Sequence, residues 1–576
     1  MKLKKMLALV LSFAIMAAVP AGCASSGKTE DGTSASRESA SASDSTESTS
    51  SSDEKVKLTI GLRQNTLTTD YENNYLTQLM EEKLNVDLEF FFLPSDSAEA
   101  KQKFSMMVAG GETLPDILCL DLSDSERYSY GTGGYFIPLN DYMENEEYTK
   151  NWNNMMDTYA TSQQKENVLR DAKSFDGNIY AFPRFYCDPA DAVALYMSIN
   201  KTWLDNVGMD VPTTTDELYE VLKAFKEQDA NGNGDPNDEI PLMGHTGWQG
   251  NVSTFLLNAF TYYAYNGDFG YQLTAENGKL SAPFITEEFH DGLRYIHKLV
   301  DEGLLSELSF TQTDAEVKSI LQAPDDQDSL LGTVVGHPSA MFGSGVARVK
   351  EYVGIPALEG PNGVKYAPFG YQGGQYNVYI TSDCENPDAA FRFLDGMQET
   401  DMSVSMRFGE KDVNWRYVDG GDSRYSGIGD EYKAIYETEF DPDQPVPWTT
   451  EGNVIWHDNA LNSLPPLLMG GRLAVPYTDE LQEYKLGELC YNVFPERYNL
   501  HPDDMPIYVA LNEEETDAVN SARTSIQTYV DESITRFALG DLDVEKDWDT
   551  YLNELNSMGL EDYLNTYQTA YDRANG

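Results

Sequence analysis

The sequence predicts an α/β protein with material for more than one core, set behind a leader and a tether. Three observations carry this. From Val56 onward, stretches of alternating apolar residues take turns with stretches of helix-spaced apolar residues, the order that builds a parallel sheet with covering helices. The 576 residues are 41% hydrophobic and 23% charged, a globular composition with apolar material for more than one core. The first 54 residues share neither pattern.

Lys2, Lys4 and Lys5 precede an apolar run from Met6 to Val19. The run is shorter than the ~20 residues of a membrane-spanning helix and ends in small residues before Cys23. This reads as a secretory signal. With Ala21-Gly22 directly before the cysteine, it resembles a bacterial lipoprotein signal, which implies cleavage before Cys23 and a lipid on its thiol. Pro20 departs from the Leu usual in that motif. Residues 1–22 are therefore expected to be a lipoprotein signal peptide. Residues 23–54 are expected to be the lipidated Cys23 and a disordered Ser-rich tether, able to hold the body on the order of 30 Å from its anchor. Gly22 to Thr29 also spells the phosphate-loop pattern GxxxxGK[ST]. With no strand before it and no helix after it, no backbone N–H groups converge on a phosphate, and the match is set aside.

The body opens on a strand, because Val56, Leu58, Ile60 and Leu62 alternate. Leu76, Leu79, Met80 and Leu84 then fall at helical spacing. Val86, Leu88, Phe90 and Phe92 make a second strand. Phe104, Met107 and Val108 suggest another helix, and Ile117 to Leu120 a third strand. Strand–helix–strand order implies right-handed crossovers and parallel pairing. Thr214 with Glu217 spells a capping box opening a helix through about Lys226. Asn386-Pro387-Asp388 opens another helix, with Phe391 and Leu394 inward. From Glu513 onward the pattern is mainly helical. No internal repeat is visible.

An ordered set of short motifs then carries a family resemblance. Leu114-Pro115-Asp116-Ile117, Gly134-Tyr135-Phe136-Ile137-Pro138-Leu139 and Asp176-Gly177-Asn178-Ile179-Tyr180-Ala181-Phe182-Pro183 come first. Asn200-Lys201-Thr202-Trp203-Leu204, Pro212 to Leu218 and Asp229 to Gly234 follow, with Asp547 to Tyr551 near the end. The set resembles family 1 extracellular solute-binding proteins, the lipid-anchored sugar-binding components of ABC importers, and most of all their LplA-like lipoprotein subgroup. The resemblance implies a two-lobed, type II periplasmic-binding-protein fold with hinge crossovers and ligand in the cleft. It implies lobe 1 over 55–185 and 354–402, and lobe 2 over 186–353 and 403–576. Crossings are expected near Pro183–Asp188, Gly354–Pro361 and Thr400–Met406.

Two constellations bear chemistry. Asp229, Asn231, Asn233, Asp235 and Asn237 alternate, with Gly234 at the sixth position and Asp238-Glu239 following. Oxygen ligands at that spacing follow the EF-hand logic for Ca²⁺, with position 7 acting through its carbonyl. The twelfth position is Ile240, so the bidentate carboxylate must come earlier. The expected calcium set is Asp229, Asn231, Asn233, Asp235, Asp238 and Glu239. A metal-free Asn-Gly turn cluster fits the same residues. Sugar sites, second, need aromatic faces for ring C–H groups and planar polar groups for hydroxyls. The candidates are Trp248 and Trp415, Arg184 and Tyr186 at the first crossing, Tyr371 and Gln372 among glycines, and Asp70 after the first strand. Trp448 and Trp456 are weaker candidates.

Forty Lys and Arg against 95 Asp and Glu give a formal charge of −55. Residues 55–576 hold 35 and 88 of these, or −53. That field repels a phosphate backbone and argues against nucleic acid as a partner. HExxH, GxSxG and CxxC are all missing. Cys119, Cys187, Cys384 and Cys490 could pair in an oxidising exterior but lack metal-like spacing, and Cys119 in an apolar strand reads as a buried small hydrophobe. The expected function is that of a monomeric, non-enzymatic receptor, lipid-anchored at the extracellular face of the membrane, that passes a carbohydrate to an ABC permease. A secreted glycan-active hydrolase and a peptide or other-solute binder on the same fold remain alternatives.

Overall fold

Strand β1 (Val56–Arg63) pairs in parallel with β2 (Val86–Leu93), in register from Val56↔Val86 to Arg63↔Leu93. The helix Tyr75–Leu84 lies between them in the chain. β3 (Ile117–Cys119) pairs in parallel on the other side of β1, after the helix Ser97–Gly110. Gly61 lets these layers meet, since a Cβ there would collide with the Pro115 ring. The alternation works as expected: Leu58, Ile60 and Leu62 are fully buried.

The chain then leaves this sheet through β4 (Arg184–Phe185). A second sheet forms from β5 (Met197–Asn200) and β6 (Ile240–Met243). The hairpin β7 (Thr274–Glu276) and β8 (Lys279–Ser281) follows, then β9 (Leu331–Val335) and β10 (Tyr352–Gly354). The return path carries β11 (Gly374–Gln375), antiparallel to β4, and β12 (Val378–Ile380), which joins β3 antiparallel. A last ribbon pairs β13 (Trp415–Tyr417) with β14 (Tyr436–Thr438). Strand order is β12-β3-β1-β2 in the first sheet and β10-β5-β9-β6 in the second.

The structure is a computed structural model. It describes residues 55–185, 195–235, 237–264, 272–324, 327–342, 347–369, 373–421, 423, 433–438, 447–448, 450–457, 474, 493, 496–497, 500–502, 509 and 511–575. Residues 1–54, with Cys23, lie outside that set, as do Cys187 and Cys490. Among the described residues no helix is long and apolar enough to cross a membrane.

Each sheet has apolar packing on both faces. One face of the first sheet buries Leu58, Ile60, Ile117 and Val378 against Phe391 and Leu394 of the helix Pro387–Gly396. Each such side chain contributes roughly 1.5–3 kcal/mol when fully buried. The other face packs Phe104, Leu118, Phe136 and Tyr379. The second sheet's core includes Met197, Ile199 and Leu242 with Leu293 and Ile296 of the helix Glu287–Asp301. Ile526, Phe537, Trp548 and Tyr563 of the three C-terminal helices, Glu513–Leu539, Trp548–Ser557 and Leu560–Asn575, join that core.

Some local expectations shift. Thr214 caps the helix Thr215–Glu227 by accepting from Glu217 N at 3.1 Å, but the Glu217 carboxylate takes the N–H and hydroxyl of Thr213 instead of the Thr214 N–H. Half of the capping box forms. The segment expected to carry the second crossing, Gly354–Pro361, stays with the second sheet: β10 pairs with β5, and Ile355 and Leu358 sit in the second core. Residues Met402 to Phe408, with Trp415, Tyr436 and Trp456, pack into the first core, because they extend the apolar face under β1 and β2.

Candidate functional site

A cavity of 490 Å³ lies where the two cores face each other. Its first wall comes from the segment after β3. Ser123 caps the helix Asp124–Thr132 in a complete capping box, accepting from Glu126 N at 3.3 Å while Glu126 Oε2 accepts from Ser123 N at 2.8 Å. The box fixes Asp121, Asp124 and Ser125 at the carboxyl end of a parallel strand, where open α/β sheets bind ligands. The opposite wall is the helix Glu513–Leu539, opened by its own capping box at Asn512. Thr516, Asn520 and Arg523 line the cavity from one helix face, three or four residues apart, and Tyr567 closes it from the helix Leu560–Asn575. Burial raises the Tyr567 phenol above its ordinary value. None of these residues carried a motif in the sequence. Only the capping signature Ser123-x-x-Glu126 marked the first wall, and nothing marked the second.

The predicted site residues are placed as follows. Arg184 is 1% exposed and sits in β4, opposite Gln375 of β11. Just before it, Phe182 N donates to Val378 O at 2.8 Å, which fastens the outgoing and returning chains together, and Trp152 Nε1 donates to Pro183 O at 2.9 Å. Tyr186, Tyr371 and Gln372 lie outside the described residues. Asp70 accepts from Glu72 N and Asn73 N at 3.0 Å and from Asn73 Nδ2 at 2.9 Å, closing its own turn. Those Asn73 bonds hold its carboxyl below the usual value.

Trp415 requires a correction. It is 0% exposed, with Nε1 donating to Gly409 O at 3.0 Å and Ser405 Oγ at 3.2 Å, and its ring packs edge-on to Tyr417 and Tyr436. It is a core tryptophan and offers no face to a ligand. Trp456 is equally buried, with Nε1 donating to Thr77 Oγ1 at 2.9 Å, and Trp448 packs edge-on to Phe408. Trp248 opens a short 3-10 helix, Trp248–Gly250. Asp70, Arg184 and Trp415 are absent from the cavity lining.

The turn that carries Trp248 is wound around a residue the sequence did not single out. His245, just past β6, is 5% exposed, and Gly247 N donates to its Nδ1 at 3.1 Å. A Cβ at Gly250 would collide with the imidazole, so glycine is required there. Burial holds the His245 pKa below its ordinary value.

The Asp/Asn loop folds as a chain of two-residue turns. Asn233 N donates to Asn231 Oδ1 at 2.9 Å and Asp235 N to Asn233 Oδ1 at 2.8 Å, while Gly234 N reaches back to Asp229 Oδ2 at 2.9 Å. Ala230 N donates to Glu239 Oε1 at 3.0 Å, and Asp238 accepts from the Asn231 and Asn233 amides. Two buried carboxylate oxygens, Asp229 Oδ1 and Glu239 Oε2, have no hydrogen-bond partner. Such oxygens are costly to bury, and a cation relieves that cost. Burial pushes the Glu239 carboxyl above its usual value. Among the described residues no group of three or more His, Cys, Asp or Glu side chains is gathered as a metal cluster, so any site here must draw on amide and carbonyl oxygens as well. That mixed, all-oxygen set fits a hard cation.

Of the remaining thiols, Cys119 is fully buried in β3, and Cys384 is half-buried with its pKa pushed up to about 12 by burial; both are free.

Two sheets joined by paired crossing strands, with a polar cavity between them, define a two-lobed solute-binding protein. The chain belongs to the bacterial extracellular solute-binding protein family, whose pattern matches residues 65–402, more than half of the sequence. It is 25% identical over 515 residues to the fructooligosaccharide ABC transporter substrate-binding protein FusA of Streptococcus pneumoniae, covering 88% of each chain. A solved structure of FusA, described as an EF-hand mutant in complex with fructo-nystose, superposes with a TM-score of 0.63 at 22% identity, covering 90% of this chain and 99% of that one. Lipoprotein LipO of Bacillus subtilis is 29% identical over 350 residues, which is 59% of this chain and 64% of LipO, a little under two thirds of its length. A human-milk-oligosaccharide-binding, ABC-transporter-associated protein of Bifidobacterium longum infantis superposes with a TM-score of 0.70 at 21% identity, covering 90% of this chain and 99% of that chain.

Proposed function

We propose that the protein is a non-enzymatic receptor that captures a carbohydrate, an oligosaccharide in particular, outside the cell and delivers it to an ABC permease. The observation that carries this is the cavity lined by residues of both lobes. A ligand there touches both walls only when the lobes are closed, and that differential contact shifts the population toward the closed state. The names of FusA and of the Bifidobacterium protein support sugar as the ligand class. Lipid anchoring through Cys23 is supported by the small residues before it and by the lipoprotein LipO.

The lobes are proposed to meet at β4 and β11. The first lobe then takes residues 55–185 and the chain from 374 into the 450s. The second takes the chain from 195 to 369 and the C-terminal helices. Calcium in the Asp/Asn loop belongs to the same proposal: Asp229, Asn231, Asn233 and Asp235 would hold the ion with Asp238 or Glu239. It would cross-brace the segment between the helix Thr215–Glu227 and β6.

One experiment tests the reading. The full chain and Cys23→Ala are expressed, fractionated and titrated with a panel of neutral and acidic oligosaccharides. The parent is expected with membranes and the variant in the soluble fraction. The variant should bind one sugar class saturably at one-to-one stoichiometry and leave it chemically unchanged. A cleaved sugar would make the protein a hydrolase, and no saturable sugar would remove the carbohydrate reading.

A further inference from the structure

We propose that this cavity takes neutral oligosaccharides and rejects oligomers of uronic acids, with the Asp121 carboxylate setting the preference. The inference rests on the carbohydrate reading above and deepens it.

A site built for a uronate aims an uncommitted cation at the ligand carboxylate, most often an arginine fork. Among the described residues that line the cavity, neither cation stands alone. Lys101 Nζ lies 3.3 Å from Glu126 Oε2, and the Arg523 charge acts on the neighbouring Tyr567 phenol. The nearby Arg127, 3% exposed, is held by Asp124 at 2.9 Å and lies over the Tyr376 ring at 4.9 Å from its centroid. The carboxylates stand differently. Asp121 lines the cavity, is exposed, and makes no side-chain hydrogen bond or ion pair with another described residue. It is therefore free to accept two hydroxyl hydrogens from a sugar.

A uronate carboxylate placed in this cavity meets the carboxylates of Asp121 and Asp124 in the lining and must compete with Glu126 for Lys101. A neutral sugar meets neither penalty: its hydroxyls donate to Asp121 and exchange bonds with Asn520, Ser125 and Thr516, all in the lining. The wider field points the same way. The −53 charge of residues 55–576 repels a polyanion before contact, a repulsion that salt screens.

The test titrates the soluble Cys23→Ala chain with neutral trisaccharides (fructo-, xylo-, malto- and galacto-series) and with tri-galacturonate and tri-mannuronate, in low and high salt. The best neutral sugar is expected to bind at least tenfold tighter than either uronate, and high salt should narrow the gap. Asp121→Asn in that background should weaken the neutral sugar about tenfold. Asp121→Lys should weaken it further and raise uronate affinity. Asp121 is exposed, so melting temperatures should stay near the parent's, which separates lost contacts from lost fold. A uronate bound as tightly as the best neutral sugar would overturn the inference while leaving the carbohydrate receptor intact. So would neutral-sugar binding that neither Asp121 substitution changes. No binding of any sugar would remove both.

Discussion

At the scale of the residue, burial decides what an aromatic or a titratable group can do. Trp415 stands in a polar stretch, Asn414-Trp415-Arg416-Tyr417, yet the fold takes its ring into the first core, because β13 presents it to Ser405 and Gly409. Local composition cannot reveal that, since the packing partners lie elsewhere in the chain. Trp415→Ala should therefore cost about 3–5 kcal/mol of stability through the cavity left behind. The denaturant midpoint reads this, and ligand affinity of the molecules still folded should change little. Unchanged stability with lost affinity would return Trp415 to the binding surface.

His245 makes a second residue-scale prediction. Its folded pKa lies below the ordinary histidine value because burial disfavours the cation, while the nearby Asp314 partly raises it and Lys318 lowers it. The unfolded chain thus takes up a proton at a pH where the folded chain resists it. Stability from this group is fully present above the unfolded value of about 6.5 and is lost as pH falls toward the folded value. Protonation would also place an N–H against the Gly247 N–H. Thermal melts of the parent across pH 7 to 5 should show this decline, and His245→Asn should flatten it. An equal decline in the variant would assign the effect to other groups.

At the scale of the element, periodicity was a faithful guide wherever one face is buried. β1, β2 and β3 and the helices between them follow from alternating and helix-spaced apolar residues, as does the inward pair Phe391 and Leu394. The second wall of the cavity was not legible. Thr516, Asn520 and Arg523 show only helical spacing, and polar residues on a helix face look alike whether they meet solvent or a cleft. The Asp/Asn loop was legible as a turn pattern, and its unpartnered Asp229 and Glu239 oxygens extend that pattern toward a cation. If calcium fills the loop at a hundred times its dissociation constant, the fold gains about 2.7 kcal/mol. Chelator should then lower the melting temperature of calcium-loaded protein, and Asp229→Ala should abolish that response. A melting curve indifferent to chelator would exclude a structural ion.

At the scale of the whole molecule, β4 and β11, two strands of two residues each, link the sheets among the described residues, and the chain passes from the first core to the second once more between Trp456 and Val509. Short crossings between two well-filled cores suit rotation of one lobe against the other. In the proposed lobe division the first crossing is β4, inside the Pro183–Asp188 stretch that the family resemblance implies. The same proposal puts the return at β11, beyond the expected Gly354–Pro361, because the apolar residues Ile355 and Leu358 hold that stretch in the second core. Lobe membership depends on which core fills a given gap, a long-range matter that local motifs do not encode.

Lobe closure on a ligand held between the two walls is the central claim, and small-angle X-ray scattering of the soluble Cys23→Ala chain tests it most directly. With a sugar shown by titration to bind at one-to-one stoichiometry, saturation should reduce the radius of gyration. The same sugar should leave the profile of an Asp121→Ala, Asn520→Ala double variant unchanged at that concentration. An identical profile with and without bound sugar in the parent would contradict closure as the mechanism of capture.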